Sequence, residues 1–320
     1  MKIKFTIIIL GEPNSVFSEI IGKYFTKVKK LKKKIILIGN INLLKKQLLK
    51  LKYNLKLNQI TNAEDAKANS INIINIDYKF KKTFSKISSE SSKYIEKSFN
   101  KSIELLKFNK RECVLINGPI KKKTFLKKRY QGITEYLSNK TKSNNEVMLI
   151  YNKKMSVSPI TTHIPIKYVS KKINKKKIIN NLIKINYFYK NNLRRKVKFA
   201  ILGLNPHCET IDKISEEDKI IIPSIKYLKK MKFDVHGPFS ADTFFIKKNL
   251  DKFDVVIGMY HDQVLTPIKT LFNFNAINIT VGLPFIRISP DHGPNAEMIG
   301  KNKSDPSSFF YAMNFIEKLK

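Results

Sequence analysis

Three of the five histidines in this chain follow directly after apolar segments. These are MSVSPITT before His163, KFAILGLNP before His207 and FDVVIGMY before His261. Each segment has the nearly unbroken apolar character of a strand that is buried on both faces of a parallel sheet. Because the carboxyl ends of such strands line one ligand crevice, the three imidazoles can converge there. Three neutral imidazoles with open positions are typical of a catalytic divalent-metal site, which the sequence therefore predicts.

The alternative to a metal site is that each histidine is a structural residue held by hydrogen bonds. The polar neighbours of these histidines help to decide between the two interpretations. Asp262 and Gln263 follow one histidine, and Asn205 precedes another. Polar partners of this kind orient a ligating ring through its second nitrogen, so they favour the metal site. The remaining histidines, His236 in DVHGPF and His292 in PDHGPN, lie in turn-like segments and are left outside the metal set.

Strand-like and helix-like segments alternate along the chain, as expected for an α/β sheet protein. The predicted strands are 4–10, 33–39, 70–76, 112–117, a segment ending at Thr162, 197–204, 253–259 and 275–281. The predicted helices are 92–108, 176–184, 220–231 and 307–319. The polar region 81–90 contains several serines and is predicted to be a mobile loop.

The length of 320 residues allows one large or two medium domains with a sizeable core. No apolar segment approaches the roughly 20 residues that a membrane-spanning helix needs. The opening MKIKFTIIILGEP lacks a small-residue cleavage site after its apolar stretch, so we interpret it as a buried strand. Two cysteines, Cys113 and Cys208, do not make a disulfide framework. We therefore expect a cytoplasmic protein.

The charge of the chain is strongly positive, with 62 Lys and Arg against 25 Asp and Glu and a formal net charge of +37. Such a charge ordinarily indicates a nucleic-acid or membrane partner. Here the lysines are spread through runs such as KVKKLKKK and SKKINKKK, where arginine and aromatic residues are scarce. Base reading and single-strand stacking depend on both residue types. The pattern favours solvated helix faces and an attraction for anionic substrates over specific nucleic-acid binding.

Two nucleotide-binding motifs are missing. No G-x-G-x-x-G follows the first predicted strand, and no Walker A sequence occurs. A Rossmann dinucleotide fold therefore has no support in the sequence.

Several long segments resemble the 4-hydroxythreonine-4-phosphate dehydrogenase family of vitamin B6 synthesis. They are GITEYL (132–137), TTHIPIKYV (161–169), ILGLNPH (201–207), GPFSADTFF (237–245), MYHDQVLTPIK (259–269) and INITVGLPFIRISPDHG (277–293). The resemblance runs in colinear order from about Val114 onward. In the N-terminal third only IIILGEP (7–13) with Glu19 and Ile20 resembles the family's opening strand and turn.

The resemblance implies a two-domain α/β/α fold of the isocitrate and isopropylmalate dehydrogenase type, with the active site in the interdomain cleft. We expect a first domain of 1–130 plus 300–320 and a second of 131–299. It also implies a homodimer whose site draws on both chains, so the three metal-binding histidines need not come from one chain. The implied metal is Zn²⁺, Mg²⁺ or Co²⁺.

The implied cofactor is NAD or NADP, bound by the segment 280–300 in loops at the cleft. Gly282, His292 and Gly293 are the expected cofactor-binding residues, since glycines allow close backbone approach. The alternative is that these glycines only turn the chain.

The substrate residues implied by the resemblance are Thr134, Lys269, Asn278 and Arg287. Arginine and lysine suit phosphate or carboxylate, and asparagine can bond a hydroxyl or an amine. A single lysine such as Lys269 is weak evidence for a binding role in a chain this rich in lysine. Arg287 is stronger evidence, because it lies within the apolar segment FIRIS. Asp242 and Asp262 are expected to handle protons or support the ligands, and a role as fourth metal ligand stays open. Cys208 is a further possible ligand, but we favour a bystander.

One position departs from the family. Where the family has a His-Thr pair that contacts substrate, this chain has Ile133 and Thr134. Isoleucine neither donates nor accepts a hydrogen bond, so one polar contact is lost or supplied elsewhere. If Ile133 takes the histidine's place, Ile133→His is expected to strengthen substrate binding.

The sequence thus predicts an NAD(P)-dependent, metal-dependent dehydrogenase of 4-phosphohydroxy-L-threonine. A related enzyme for a four-carbon sugar acid phosphate, such as threonate or erythronate 4-phosphate, is the alternative. A basic nucleic-acid-binding protein with a relic enzyme fold is a third interpretation, and turnover of a phosphorylated substrate separates it from the other two.

Overall fold

The computed structural model describes residues 3–108, 112–126, 129–143, 146–211, 214–273, 275–290 and 293–319. The strands are β1 (Phe5–Ile9), β2 (Lys34–Gly39), β3 (Leu57–Ile60), β4 (Ile71–Asn75), β5 (Cys113–Asn117), β6 (Val147–Tyr151), β7 (Ser156–Thr161), β8 (Phe199–Leu202), β9 (Val235–Phe239), β10 (Val255–Tyr260), β11 (Ile277–Val281) and β12 (Ile286–Ser289). The α-helices are α1 (Phe17–Lys27), α2 (Ile41–Lys50), α3 (Ser91–Phe108), α4 (Lys122–Phe125), α5 (Ile133–Lys140), α6 (Val169–Lys172), α7 (Lys175–Phe188), α8 (Ile222–Lys230), α9 (Ala241–Phe244), α10 (Lys247–Leu250), α11 (His261–Phe272) and α12 (Ser307–Lys318).

The chain forms two compact units. The first comprises Met1–Glu146 and Gly282–Lys320, and the second comprises Val147–Val281. These bounds differ from the predicted domain ranges, because α5 and β12 pack within the first unit. Ile133 of α5 belongs to the core around Phe99, and β12 pairs with β5.

The first unit is built on parallel strands in the order β3-β4-β2-β1-β5-β12. All five residues of β1 are buried, as expected for a strand that is covered on both faces. Ile7 and Ile9 of β1 share one core with Ile36 of β2, Phe99 of α3 and Leu137 of α5.

The second unit has the strand order β11-β6-β7-β10-β8-β9. The four strands β7, β10, β8 and β9 are parallel, whereas β6 runs antiparallel to both of its neighbours. Tyr260 at the end of β10 pairs with Thr161 at the end of β7, and Ile257 pairs with Ile201 of β8. The carboxyl ends of β7, β10 and β8 therefore lie at one edge of the sheet, which we call the histidine edge.

In the part of the chain that the structure describes, every helix is too short or too polar to cross a membrane.

Candidate active site

Each of the three predicted metal ligands follows a strand that ends at the histidine edge. The rings of His163 and His261 lie together, with centroids 5.7 Å apart and planes tilted by 39°. His163 has a left-handed backbone with φ 47°. His261 is the first residue of α11 and directly continues β10. The structure thus brings two of the three predicted ligands together in one chain.

Asp262 orients the ring of His261. Its Oδ1 lies 2.7 Å from Nδ1 of the imidazole. A carboxylate at this position accepts a hydrogen bond from Nδ1–H, which favours the tautomer whose lone pair lies on Nε2. His261 is therefore prepared to bind a cation through Nε2.

His207 lies on the loop 203–208 after β8. Its backbone is left-handed, with φ 54°, and so is that of Cys208, with φ 62°. Its Nδ1 is 3.9 Å from Oδ2 of Asp242, in the first turn of α9. Among the described residues, no three His, Cys, Asp or Glu side chains are grouped closely enough to hold a metal ion. The predicted three-histidine set is therefore not assembled within the described part of one chain.

Two of the predicted substrate residues meet in the first unit. The buried guanidinium of Arg287 donates from Nε to Oδ1 of Asn117 at 2.8 Å and from Nη1 to Oγ1 of Thr134 at 3.1 Å. Burial lowers the pKa of Arg287 to about 10, which the nearby Glu135 partly offsets. The side chain therefore keeps its positive charge at neutral pH, in surroundings that favour an anionic partner.

Asn278 and Lys269 belong to the second unit. Oδ1 of Asn278, in β11, is buried and has no hydrogen-bond partner among the described residues. Buried polar atoms are nearly always hydrogen-bonded, so an atom of this kind is a candidate contact for a ligand. Lys269 is an exposed residue of α11.

At the predicted cofactor-binding glycines, the structure shows whether the backbone or the packing requires glycine. Gly282 has φ 95°, a conformation that side-chain-bearing residues rarely adopt. A Cβ on Gly293 would meet nothing within 4 Å, so packing does not require glycine there. His292 lies outside the described residues.

Ile133 is a core residue in the structure. Its side chain is 5% exposed and packs with Phe99, Tyr136, Leu137 and Phe285. An imidazole in that place would face apolar side chains, so the expectation that Ile133→His strengthens substrate binding is not supported.

Sequence reasoning missed the buried carboxylate of Glu217 and misread Gln263. Gln263 was expected to orient a histidine ring, but it bonds backbone: Oε1 accepts from Met259 N and Nε2 donates to Gly203 O, both at 2.7 Å. Glu217 accepts hydrogen bonds from the loop that carries His207. Nothing in the local sequence around Glu217 signals these contacts, because they join residues 12 and 13 positions apart.

Comparison with known proteins identifies both the fold and the family. The pattern of the family described as pyridoxal phosphate biosynthetic protein PdxA matches residues 31–316. A 4-hydroxythreonine-4-phosphate dehydrogenase from Sulfurihydrogenibium sp. (strain YO3AOP1) is 36% identical, over 98% of this chain and 97% of the relative. The crystal structure of a 4-hydroxythreonine-4-phosphate dehydrogenase from Burkholderia phymatum has a TM-score of 0.81 at 25% identity, over 100% of this chain and 99% of that chain.

A more distant likeness defines the fold class. The β-decarboxylating dehydrogenase from Thermococcus kodakarensis has a TM-score of 0.51 at 10% identity, over 98% of this chain and 84% of that chain. The α/β fold is shared with 4-hydroxythreonine-4-phosphate dehydrogenase structures and with this β-decarboxylating dehydrogenase, which confirms the predicted fold class. Within this class, the chain belongs to the PdxA family of pyridoxal phosphate biosynthetic proteins. The family resemblance read from the sequence motifs is confirmed.

Proposed function

We propose that this chain is a metal-dependent, NAD(P)-linked 4-hydroxythreonine-4-phosphate dehydrogenase. It oxidises 4-phosphohydroxy-L-threonine to 2-amino-3-oxo-4-phosphooxybutanoate. Loss of carbon dioxide then gives 3-amino-2-oxopropyl phosphate for pyridoxal 5'-phosphate biosynthesis. The observation that carries the proposal is 36% identity over 98% of the chain to a dehydrogenase of this name.

The ion is Zn²⁺, Mg²⁺ or Co²⁺ in this proposal. The imidazoles of His163, His207 and His261 suit Zn²⁺ and Co²⁺, whereas Mg²⁺ prefers oxygen ligands. Asp262 holds His261 in a tautomer with Nε2 available. A bound divalent ion lowers the pKa of a substrate hydroxyl and polarises the carbonyl that forms from it. Asp262 maintains the ring orientation of His261, and Asp242 lies near His207, where it can accept a proton or serve as a further ligand.

Binding of the anionic substrate involves Arg287, Thr134, Asn278 and Lys269. Arg287 is a buried cation whose Nη1 is fixed by Thr134. A buried guanidinium that neighbouring hydrogen bonds hold in one orientation binds carboxylate or phosphate strongly, because little orientational freedom is lost on binding. The segment 280–300, with Gly282, His292 and Gly293, is proposed to bind NAD or NADP as the hydride acceptor.

A homodimer with shared sites belongs to the same proposal. Two observations support it. Of the three candidate ligands, the described part of one chain groups His163 with His261 and not with His207. In addition, the segments that follow the candidate ligands carry exposed apolar side chains, which a partner surface would cover. These residues are Ile166, Tyr168, Ile211, Ile214, Ile246 and Leu271.

A second candidate substrate is a four-carbon sugar acid phosphate of the threonate or erythronate type. The family resemblance has a histidine beside the threonine at 134, and this chain has the buried core residue Ile133 there, so one polar substrate contact of the family is absent and a related substrate is admitted. The two substrates differ in bearing an amino group or a hydroxyl at carbon 2.

Steady-state assays with both phosphorylated substrates, each with NAD and NADP, test the proposal. We expect turnover of 4-phosphohydroxy-L-threonine, loss of turnover after chelation and its recovery on adding a divalent ion. His261→Ala is expected to abolish turnover. His236→Ala is the matched control, because His236 also pairs with a carboxylate, Asp234 at 2.6 Å, but lies outside the candidate site. Full activity after exhaustive chelation would disprove the metal requirement.

A further inference from the structure

Glu217 is a buried carboxylate next to the loop that carries His207. It begins a π-helical turn, Glu217–Ile221, which leads into α8. The residue is only 1% exposed. Burial of a carboxylate is costly unless hydrogen bonds compensate for its lost hydration. The partners of Glu217 are therefore informative.

The hydrogen bonds of Glu217 come from two residues just before His207. Oε1 accepts from the backbone N–H of Leu204 at 2.7 Å and from that of Asn205 at 2.9 Å. Oε2 accepts from the side-chain amide of Asn205 at 2.8 Å. The carboxylate of Glu217 thus holds the loop through three hydrogen bonds. All three are made to Leu204 and Asn205, which lie within three positions of His207.

The charge of Glu217 is stable in this setting. Burial raises its pKa, but the hydrogen bonds from Asn205 and Leu204 outweigh that effect, so the pKa lies below its ordinary value. Hydrogen bonds to an ionised acceptor are roughly twice as strong as those between neutral groups. The carboxylate is therefore a strong anchor for the loop at neutral pH.

The loop needs an anchor because its backbone is unusual. His207 and Cys208 are both left-handed, at φ 54° and φ 62°. Such conformations are uncommon for residues with side chains and persist when the surroundings hold them. Gly203 packs so closely that a Cβ there would lie 2.6 Å from Sγ of Cys208 and 3.0 Å from Oε1 of Glu217. The loop therefore folds tightly over the carboxylate.

We propose that Glu217 is a positioning residue for His207: its buried carboxylate holds the loop 203–208 in the conformation that presents the imidazole to the metal ion. This role rests on the metal site proposed above. Glu217 itself does not touch the ion, and it acts only through the backbone and side chain of the loop.

The test compares Glu217→Gln with wild type in metal-free full-length protein titrated with Co²⁺. Glutamine keeps the size of the side chain, but it replaces one acceptor oxygen with an amide NH₂ group. Because that group is a donor, it cannot accept from the N–H groups that it faces, and at least one of the three hydrogen bonds is lost. Calorimetry measures the affinity, and the visible absorption of bound Co²⁺ reports its ligand geometry. We expect an affinity about 10-fold to 100-fold weaker, as is typical for loss of a residue that orients a ligand, together with an altered spectrum.

Asp218→Asn is the matched control. It removes the same charge one residue further on, and Asp218 bonds Ser215 and is exposed. Its affinity and spectrum are expected to equal those of wild type, which separates positioning from a general loss of negative charge. If Glu217→Gln does not fold, Asn205→Ala takes its place. It removes the side-chain bond to Glu217, together with the bond from the same amide to Oε2 of Glu216 at 2.9 Å, and leaves the two backbone donors. A several-fold loss of affinity with an altered spectrum is then expected.

The outcomes separate this role from the proposed function. Wild-type affinity and spectrum in the folded Glu217→Gln or Asn205→Ala protein would overturn the role of Glu217 alone. An equal loss of Co²⁺ affinity in Asp218→Asn would mean that removal of any nearby negative charge weakens binding. That result would also overturn the positioning role of Glu217. Failure of wild type to bind Co²⁺ would overturn the metal assignment and this role with it.

Discussion

Individual polar side chains at the histidine edge act in two different ways. Asp262 contacts the ring of His261 directly. Gln263 and Glu217 instead bond backbone groups of the segments that carry the histidines. The first kind of contact sets a tautomer, whereas the second sets the position of a whole loop. Substitutions at these residues are therefore expected to have different signatures.

Asp262→Asn tests the ring contact. The amide of asparagine is a weaker acceptor for Nδ1–H than a carboxylate, so His261 becomes less well oriented and less basic. We expect the affinity for Co²⁺ to fall by about 10-fold to 100-fold, measured by calorimetry on metal-free protein. Asp234→Asn is the matched control, since it alters the His236–Asp234 pair in the same unit. An equal loss in both variants would contradict the assignment.

Ile133→His tests the placement of Ile133 in the core. Burying an unbonded polar group costs about 1–3 kcal/mol in mutational data, and loss of apolar packing adds to this. We expect a fall in the free energy of unfolding of about 2–4 kcal/mol, against about 0.5–1.5 kcal/mol for the control Ile133→Val, both measured by urea denaturation. A variant with unchanged stability and a lower KM would mean that residue 133 faces the substrate.

The sequence predicted some residue roles and missed others for identifiable reasons. The positions of His163, His207 and His261 at strand ends follow from apolar patterning, which is a local signal. The pairing of Arg287 with Thr134 was reachable only through the family resemblance, since the two lie 153 positions apart. The burial of Ile133 depends on how α5 packs against α3, and that packing leaves no mark on the neighbouring residues.

At the scale of elements, Gln263 links the start of α11 to the ends of two strands. It accepts from Met259 in β10 and donates to Gly203 after β8. The side chain of Gln263 therefore joins the segments that carry His207 and His261, beyond the last paired residues of β8 and β10.

Gln263→Leu tests this link. Leucine fills similar space but leaves Met259 N–H and Gly203 C=O without their partner. Each buried backbone group that loses its partner costs about 1–3 kcal/mol, so we expect a fall in the free energy of unfolding of about 2–5 kcal/mol. The matched control is Gln59→Leu, an exposed position in β3, where the change is expected to stay within about 0.5 kcal/mol. Similar losses in urea denaturation of the two variants would refute the link.

The predicted elements succeeded where patterning is strong. Eight predicted strands and four predicted helices are present, and the four missed strands are β3, β6, β9 and β12. The LNQI sequence of β3 is half polar, and VHGPF of β9 contains glycine and proline, which are usually read as a turn. β12 is four residues long with Arg287 inside it. Pairing with neighbouring strands makes these segments strands, and a single sequence does not reveal that pairing. The apolar strand β6 was within reach of the same patterning.

At the scale of the whole molecule, charge and assembly are the two properties that local structure does not determine. With 62 basic and 25 acidic residues, at least 37 cations have no acidic partner even if every carboxylate pairs with one. Most lysines therefore face water, and the field they create attracts phosphorylated substrates at low ionic strength.

The last prediction concerns which ligands share a chain. Because His163 and His261 lie together in one chain, the shared site of the proposed homodimer would take both from one protomer and His207 from the other. Mixing inactive His207→Ala and His261→Ala proteins then leaves one intact site in every mixed dimer. Random exchange makes half the dimers mixed, so about one quarter of wild-type turnover should return. Mixing His163→Ala with His261→Ala should restore nothing, since each site then lacks one of the pair. Turnover in this second mixture, once subunit exchange is demonstrated, would place the paired histidines in different sites.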